Sequence, residues 1–82
     1  MVASLHSIKY EVFRNLLTEA RKGNGLTQVE LAKRLGLPQS FVSKYETGER
    51  RLDVTEFIEI AKAIEINPLA LLTDYMHKTE RA

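Results

Sequence analysis

Helix start and stop signals recur so closely along this 82-residue chain that its apolar pattern can only be divided into short helices. Ile8, Val12, Leu16 and Ala20 step by four, with Phe13 and Leu17 widening the stripe, which predicts a first helix from about Ile8 to Lys22. Gly23, Asn24 and Gly25 end it, being residues that accept a left-handed terminus. Thr27 and Glu30 then form a capping box, flanked by a Leu26/Leu31 hydrophobic staple, and open a second helix that Gly36 stops after Leu35. A Leu37/Val42 staple and Pro38 in the first turn open a third, from about Pro38 to Thr47, with Val42 and Tyr45 inward and Gly48 as terminator. Asp53 with Glu56, stapled by Leu52 and Phe57, opens a fourth through Val54, Phe57, Ile58, Ala61 and Ile64. Asn67 and Pro68, stapled by Ile66 and Leu71, open the fifth. Beyond Tyr75 the pattern fades, so residues from about 76 to 82 read as a frayed tail. No apolar/polar alternation persists long enough for a strand, and the expected fold class is all-α with five helices.

Residues 1–82 are expected to form one domain, with a core spanning about 8–72 that includes Leu31, Ala32, Leu35, Val42, Phe57, Ile58 and Ile64. A chain of this size buries one modest core and leaves little room for a deep cleft, which weighs against an enzyme. The absence of cysteine excludes a disulfide staple and a thiolate metal site. His6 and His77 lie near opposite ends without metal-ligand spacing, so no cofactor is expected. The apolar run Pro68–Leu72 is too short to span a bilayer, and Met1–Lys9 lacks the pattern of a signal peptide, so a cytoplasmic protein away from membranes is expected. The net charge of +1 conceals an asymmetry. Arg21–Arg51 carries seven Lys/Arg against three Glu, whereas Leu52–Tyr75 carries one Lys against five Asp/Glu. One half of the chain suits an anionic partner.

The second and third helices, joined by a turn of about three residues around Gly36, have the layout of a helix-turn-helix. Their shared apolar residues fix the crossing, and Ala32 is small where the backbones approach. Gln39, Ser40, Ser43 and Lys44 fall on the outer face of the third helix, where Gln can pair with adenine and Lys can reach guanine acceptors in a major groove. Alone, such a polar strip is an ordinary solvated helix face. The surrounding residues decide differently. Leu26-Thr27-Gln28-Val29-Glu30-Leu31-Ala32-Lys33-Arg34-Leu35-Gly36-Leu37, continued by Ser43-Lys44-Tyr45-Glu46-Thr47-Gly48, resembles the lambda-repressor-like, Cro/C1-type (XRE family) helix-turn-helix.

This resemblance implies a double-stranded DNA-binding transcriptional regulator, with a repressor as the first expectation and Gln39, Ser40 and Lys44 facing bases. It implies that Gln28 contacts phosphate while supporting the recognition helix, and that Thr47, Arg50 and Arg51 belong to a phosphate-contacting loop. Arg21 and Glu46 match an ion pair that ties the reading helix to the scaffold, although read alone they could be a weak surface pair. Lys33 and Arg34 read as solvent-facing. Pro38 stands where a capping Ser or Thr is usual, and Glu49 brings negative charge into the loop unless it points away or pairs with Arg50 or Arg51. Ser43 is a further exposed position, and Phe41 either packs beside Leu37 or reaches a thymine methyl. Because one short helix reads few bases, a homodimer is expected, with Leu69, Leu72, Tyr75 and Met76 of the last helix as its surface. The alternative is an adaptor or antitoxin-type module whose main partner is another protein, served by the acidic half and the apolar C-terminal residues.

Overall fold

The computed structural model describes Val2–Glu80, with side chains from Ile8 onward; the His6 side chain and the tail residues Arg81 and Ala82 lie outside the described residues. The elements are α1 (Val2–Gly23), α2 (Gln28–Leu35), α3 (Gln39–Thr47), α4 (Val54–Ile64) and α5 (Pro68–Thr79). No strand occurs among the described residues.

Local chemistry sets most of these boundaries. The Thr27 hydroxyl accepts from the Glu30 N–H while the Glu30 carboxylate accepts from the Thr27 N–H, and Asp53 and Glu56 do the same at the start of α4. Asn67 caps α5 by accepting from the Leu69 N–H. Gly36, at φ 69°, lets the chain leave α2 in the left-handed conformation, so that the Leu37 N–H can bond back to the Ala32 carbonyl. Pro38 sits one position earlier than the first helical turn expected for it: it is the N-cap of α3 and supplies no side-chain bond.

The core gathers Leu17 from α1, Leu31 and Ala32 from α2, Val42 and Tyr45 from α3, Phe57, Ile60 and Ile64 from α4, and Leu71 from α5. Three sequence expectations are corrected here. Ile58 and Ile8 are exposed, and Ile60 occupies the inward position instead. Phe57, Ile60/Ala61 and Ile64 form an i, i+3/i+4, i+7 stripe, leaving Ile58 about 100° off its centre near Val54. α1 begins at Val2 rather than Ile8. α5 continues past Tyr75 to Thr79, a buried residue whose hydroxyl donates to the Tyr75 carbonyl.

Packing joins α2 to α3 and α4, and joins α1 to α3, α4 and α5. Two polar side chains close the C-terminal end of α4: Arg34 donates to the Ala63 carbonyl and Asn24 donates to the Ile64 carbonyl, both at 2.7 Å. Arg34 faces solvent as the sequence suggests, and one of its N–H groups also ties it to the end of α4.

Candidate nucleic-acid interface

α3 presents Gln39, Ser40 and Lys44 as exposed residues, with Ser43 half-buried beside them. Residues one and four apart on a helix share a broad face, so these four form one strip while Val42 and Tyr45 point into the core. Phe41 lies off this strip. Its half-buried ring packs edge-on against Tyr45 at 5.8 Å, and the Arg50 guanidinium covers it at 4.8 Å from the ring centre.

A polar chain runs from the scaffold to the start of this strip. Arg21, buried in α1, donates through Nε to Glu46 Oε2 at 2.7 Å and through NH2 to Oε1 at 3.1 Å, while its NH1 donates to the Leu26 carbonyl. The Arg21 and Glu46 side chains are only 8% and 6% exposed, so the weak-surface-pair reading does not describe them. The Glu46 hydrogen bond is the main cause holding the guanidinium above its already high ordinary pKa. Removing one partner from a pair buried this way typically costs about 3–5 kcal/mol, because it strands the other charge. Gln28 extends the chain, donating to Glu46 Oε1 at 2.9 Å and accepting from Gln39 Nε2 at 3.2 Å. Gln39, the first residue of the strip, is thus held by the same residue that touches the ion pair.

Sequence reasoning missed Arg14. Its NH1 donates to the Glu46 carbonyl at 2.9 Å, closing the end of α3. Its guanidinium also fills the space in front of Gly48, where an added Cβ would lie 3.0 Å from Arg14 Nε. Gly48 has φ 90°, a backbone conformation that calls for glycine, and a larger residue would also have to displace the Arg14 guanidinium slightly.

In the loop from Gly48 to Asp53, Arg50 and Arg51 diverge. Arg50 forms a two-point pair with Glu56, NH1 to Oε1 at 3.0 Å and NH2 to Oε2 at 2.6 Å, and NH1 also donates to the Arg51 carbonyl. Its carboxylate partner is Glu56, not the Glu49 considered from sequence, and Glu49 remains exposed. Arg50, followed by the Asp53 N–H, holds the Glu56 carboxyl down at about 2. The guanidinium carbon of exposed Arg51 lies over the Tyr10 ring, 4.1 Å from its centre, with no carboxylate partner among the described residues. The Thr47 hydroxyl donates to the Lys44 carbonyl at 3.2 Å. At the start of α2 the Gln28 and Val29 N–H groups precede the first intrahelical acceptor.

A helix-turn-helix family profile matches residues 17–71. The chain belongs to the Cro/C1-type (XRE) helix-turn-helix family of DNA-binding transcription regulators. It superposes on an XRE-family like protein from Pseudomonas syringae pv. tomato with TM-score 0.90, 49% identity and 95% of each chain covered. The restriction-modification controller protein C.AhdI from Aeromonas hydrophila gives TM-score 0.68 and 34% identity over 76% of this chain and 94% of that one. Among curated relatives, antitoxin HipB from Escherichia coli K12 is 34% identical over 53 residues, covering 65% of this chain and 60% of that protein. An uncharacterised HTH-type transcriptional regulator, y4dJ from Sinorhizobium fredii, is 36% identical over 53 residues, covering 65% of this chain and 69% of that protein. The match to HipB thus spans less than two thirds of that relative's length. No described helix is long and apolar enough to cross a membrane.

Proposed function

We propose that this protein is a cytoplasmic, sequence-specific repressor that occupies an operator by inserting α3 into the major groove, and that it has no enzymatic activity. The observation that carries this reading is the exposed Gln39/Ser40/Lys44 strip, anchored through Gln28 to the buried Arg21–Glu46 pair. Gln39, Ser40 and Lys44 discriminate bases, with Ser43 at the margin of the strip. Phosphate contacts come from Arg51, from the first N–H groups of α2 and from the remaining amide hydrogen of Gln28. Arg50 and Thr47 shape the loop through Glu56 and the Lys44 carbonyl, and three of the five Arg50 N–H donors are engaged by Glu56 and the Arg51 carbonyl. A second copy docks through α5, where Leu69 is 71% and Met76 is 65% exposed. Leu72 and Tyr75 are half-buried, and Tyr75 packs edge-on against Phe13 at 6.2 Å, so they brace the helix beneath that surface.

Titrating duplex affinity against salt tests the reading. A repressor with several phosphate contacts loses affinity steeply, with a logarithmic slope of about −0.9 per contact, and Arg51→Ala flattens that slope by about 1. Binding that ignores salt, or no binding to any duplex, would contradict it.

The similarity to proteins named antitoxin HipB favours a second reading, in which α5 or the acidic half engages another protein. Leu69→Ser with Met76→Ser separates the two. Loss of two-fold DNA binding with wild-type monomer stability supports the homodimer, whereas unchanged DNA binding leaves that surface to a different partner.

A further inference from the structure

The first helix reaches the loop that follows the recognition helix, and a single residue makes the contact twice. Tyr10 accepts through its hydroxyl from the Leu52 N–H at 3.0 Å, across 42 residues of sequence, and offers its ring face to the Arg51 guanidinium at 4.1 Å. The Leu52 amide sits between the loop and the Asp53 cap of α4, so this bond fixes the path of the chain just after Arg51. A cation held over a ring face needs no acceptor for its N–H groups, and the Arg51 side chain donates to no acceptor among the described residues, so those N–H groups are left for phosphate oxygens. The surface groove here is lined by Lys9, Tyr10, Phe13, Arg51, Leu52, Leu72 and Tyr75, two cations and no carboxylate. Neighbouring Arg50, by contrast, has three of its five N–H donors engaged by Glu56 and the Arg51 carbonyl.

We infer that Tyr10 is a positioning residue for DNA binding: it seats Arg51 flat against α1 with its hydrogen-bonding edge turned out to the duplex backbone, extending the phosphate-contacting surface beyond the helix-turn-helix. This rests on the proposed DNA-binding reading and adds α1 to it. Holding a flexible arginine in place before binding removes part of the ordering cost that binding would otherwise incur.

The test measures affinity for a short random-sequence duplex between about 50 and 200 mM salt. It compares the wild type with Tyr10→Phe, Tyr10→Leu, Arg51→Ala, Arg51→Lys and the Tyr10→Leu/Arg51→Ala double variant, alongside urea denaturation of each. Tyr10→Phe keeps the ring and is expected to stay within about 2-fold of wild type, whereas Tyr10→Leu loses about 2- to 5-fold and acquires the shallower salt slope of Arg51→Ala. The double variant is expected to bind no more weakly than Arg51→Ala alone. Additive losses, or a Tyr10→Leu protein that binds like wild type while Arg51→Ala is weakened, would overturn the role of Tyr10 and leave the DNA-binding reading intact. If Arg51→Ala binds like wild type, the phosphate assignment of the loop falls and the Tyr10 inference falls with it. Should Tyr10→Leu not fold, Arg51→Lys decides: it keeps the charge without the planar stack, and wild-type affinity and slope there would contradict the inference.

Discussion

Tyr45 is the largest fully buried side chain in the core, and its hydroxyl has no hydrogen-bond partner among the described residues. Burial pushes its ionisation up, so the group stays neutral and contributes an unpaired dipole to the interior. Tyr45→Phe keeps the ring that packs against Phe41 and removes the orphan oxygen; it is expected to raise stability by about 1 kcal/mol in urea denaturation. A loss of stability would show that the hydroxyl has a partner in solution. Glu65 offers the complementary case. It ends α4 at φ 71°, the one non-glycine residue with positive φ among those described. Its pairing with Arg34 is exposed and long, at 3.5 Å, and Arg34 keeps the Ala63 carbonyl without it. Glu65→Gly is therefore expected to stabilise by about 0.5–1 kcal/mol, visible as a higher denaturation midpoint at unchanged slope. An unchanged or lower midpoint would mean that the side chain contributes more than the strain costs.

At the scale of elements, the link between α3 and α4 concentrates several jobs in one carboxylate. Glu56 closes the α4 capping box and pairs with Arg50, whose guanidinium also covers Phe41. Because its pKa is depressed from an ordinary 4.5 to about 2 in the folded protein, its contribution is fully present above pH 4.5 and is lost as pH falls toward 2. Glu30 in the other capping box is lowered too, chiefly by the Thr27 backbone N–H, and acts with the same sign. Subtracting the pH–stability curve of Glu56→Gln isolates Glu56: the difference is expected to be largest near neutrality and to vanish near pH 2. A difference independent of pH would assign Glu56 a role without charge. The capping boxes at Thr27/Glu30 and Asp53/Glu56 were legible in sequence because a cap is a contact between residues three apart. The Arg50–Glu56 pair was not, since Glu56 already had a local partner and the loop offered the nearer Glu49. The extra turns of α1 before Ile8 carry no capping signal, and the last turn of α5 lacks an apolar pattern, being held by Thr79 instead. Arg14 and Tyr10 could be found only in three dimensions, as their partners lie 32 and 42 residues away.

Over the whole molecule, the basic half of the sequence becomes α2, α3 and the loop after them, while the acidic half becomes α4 and most of α5. Family resemblance supplied the expectation that the α3 strip faces bases and that Arg21 ties to Glu46; the tie is buried and reaches Gln39 through Gln28. Exposed Leu69 and Met76 give the molecule an apolar face on α5. For the proposed homodimer, two-fold binding by a helix-turn-helix predicts half-sites about 34 Å apart. Sequencing the duplexes retained from a random pool, by the wild type and by Gln39→Ala in parallel, probes this arrangement as a whole. The wild type should enrich a two-fold symmetric site with that spacing, and the variant should lose preference at one equivalent base pair in each half while keeping the rest. Failure to enrich any sequence, or enrichment of the same site by both proteins, would contradict the claim that the glutamine, serine and lysine strip of α3 reads DNA.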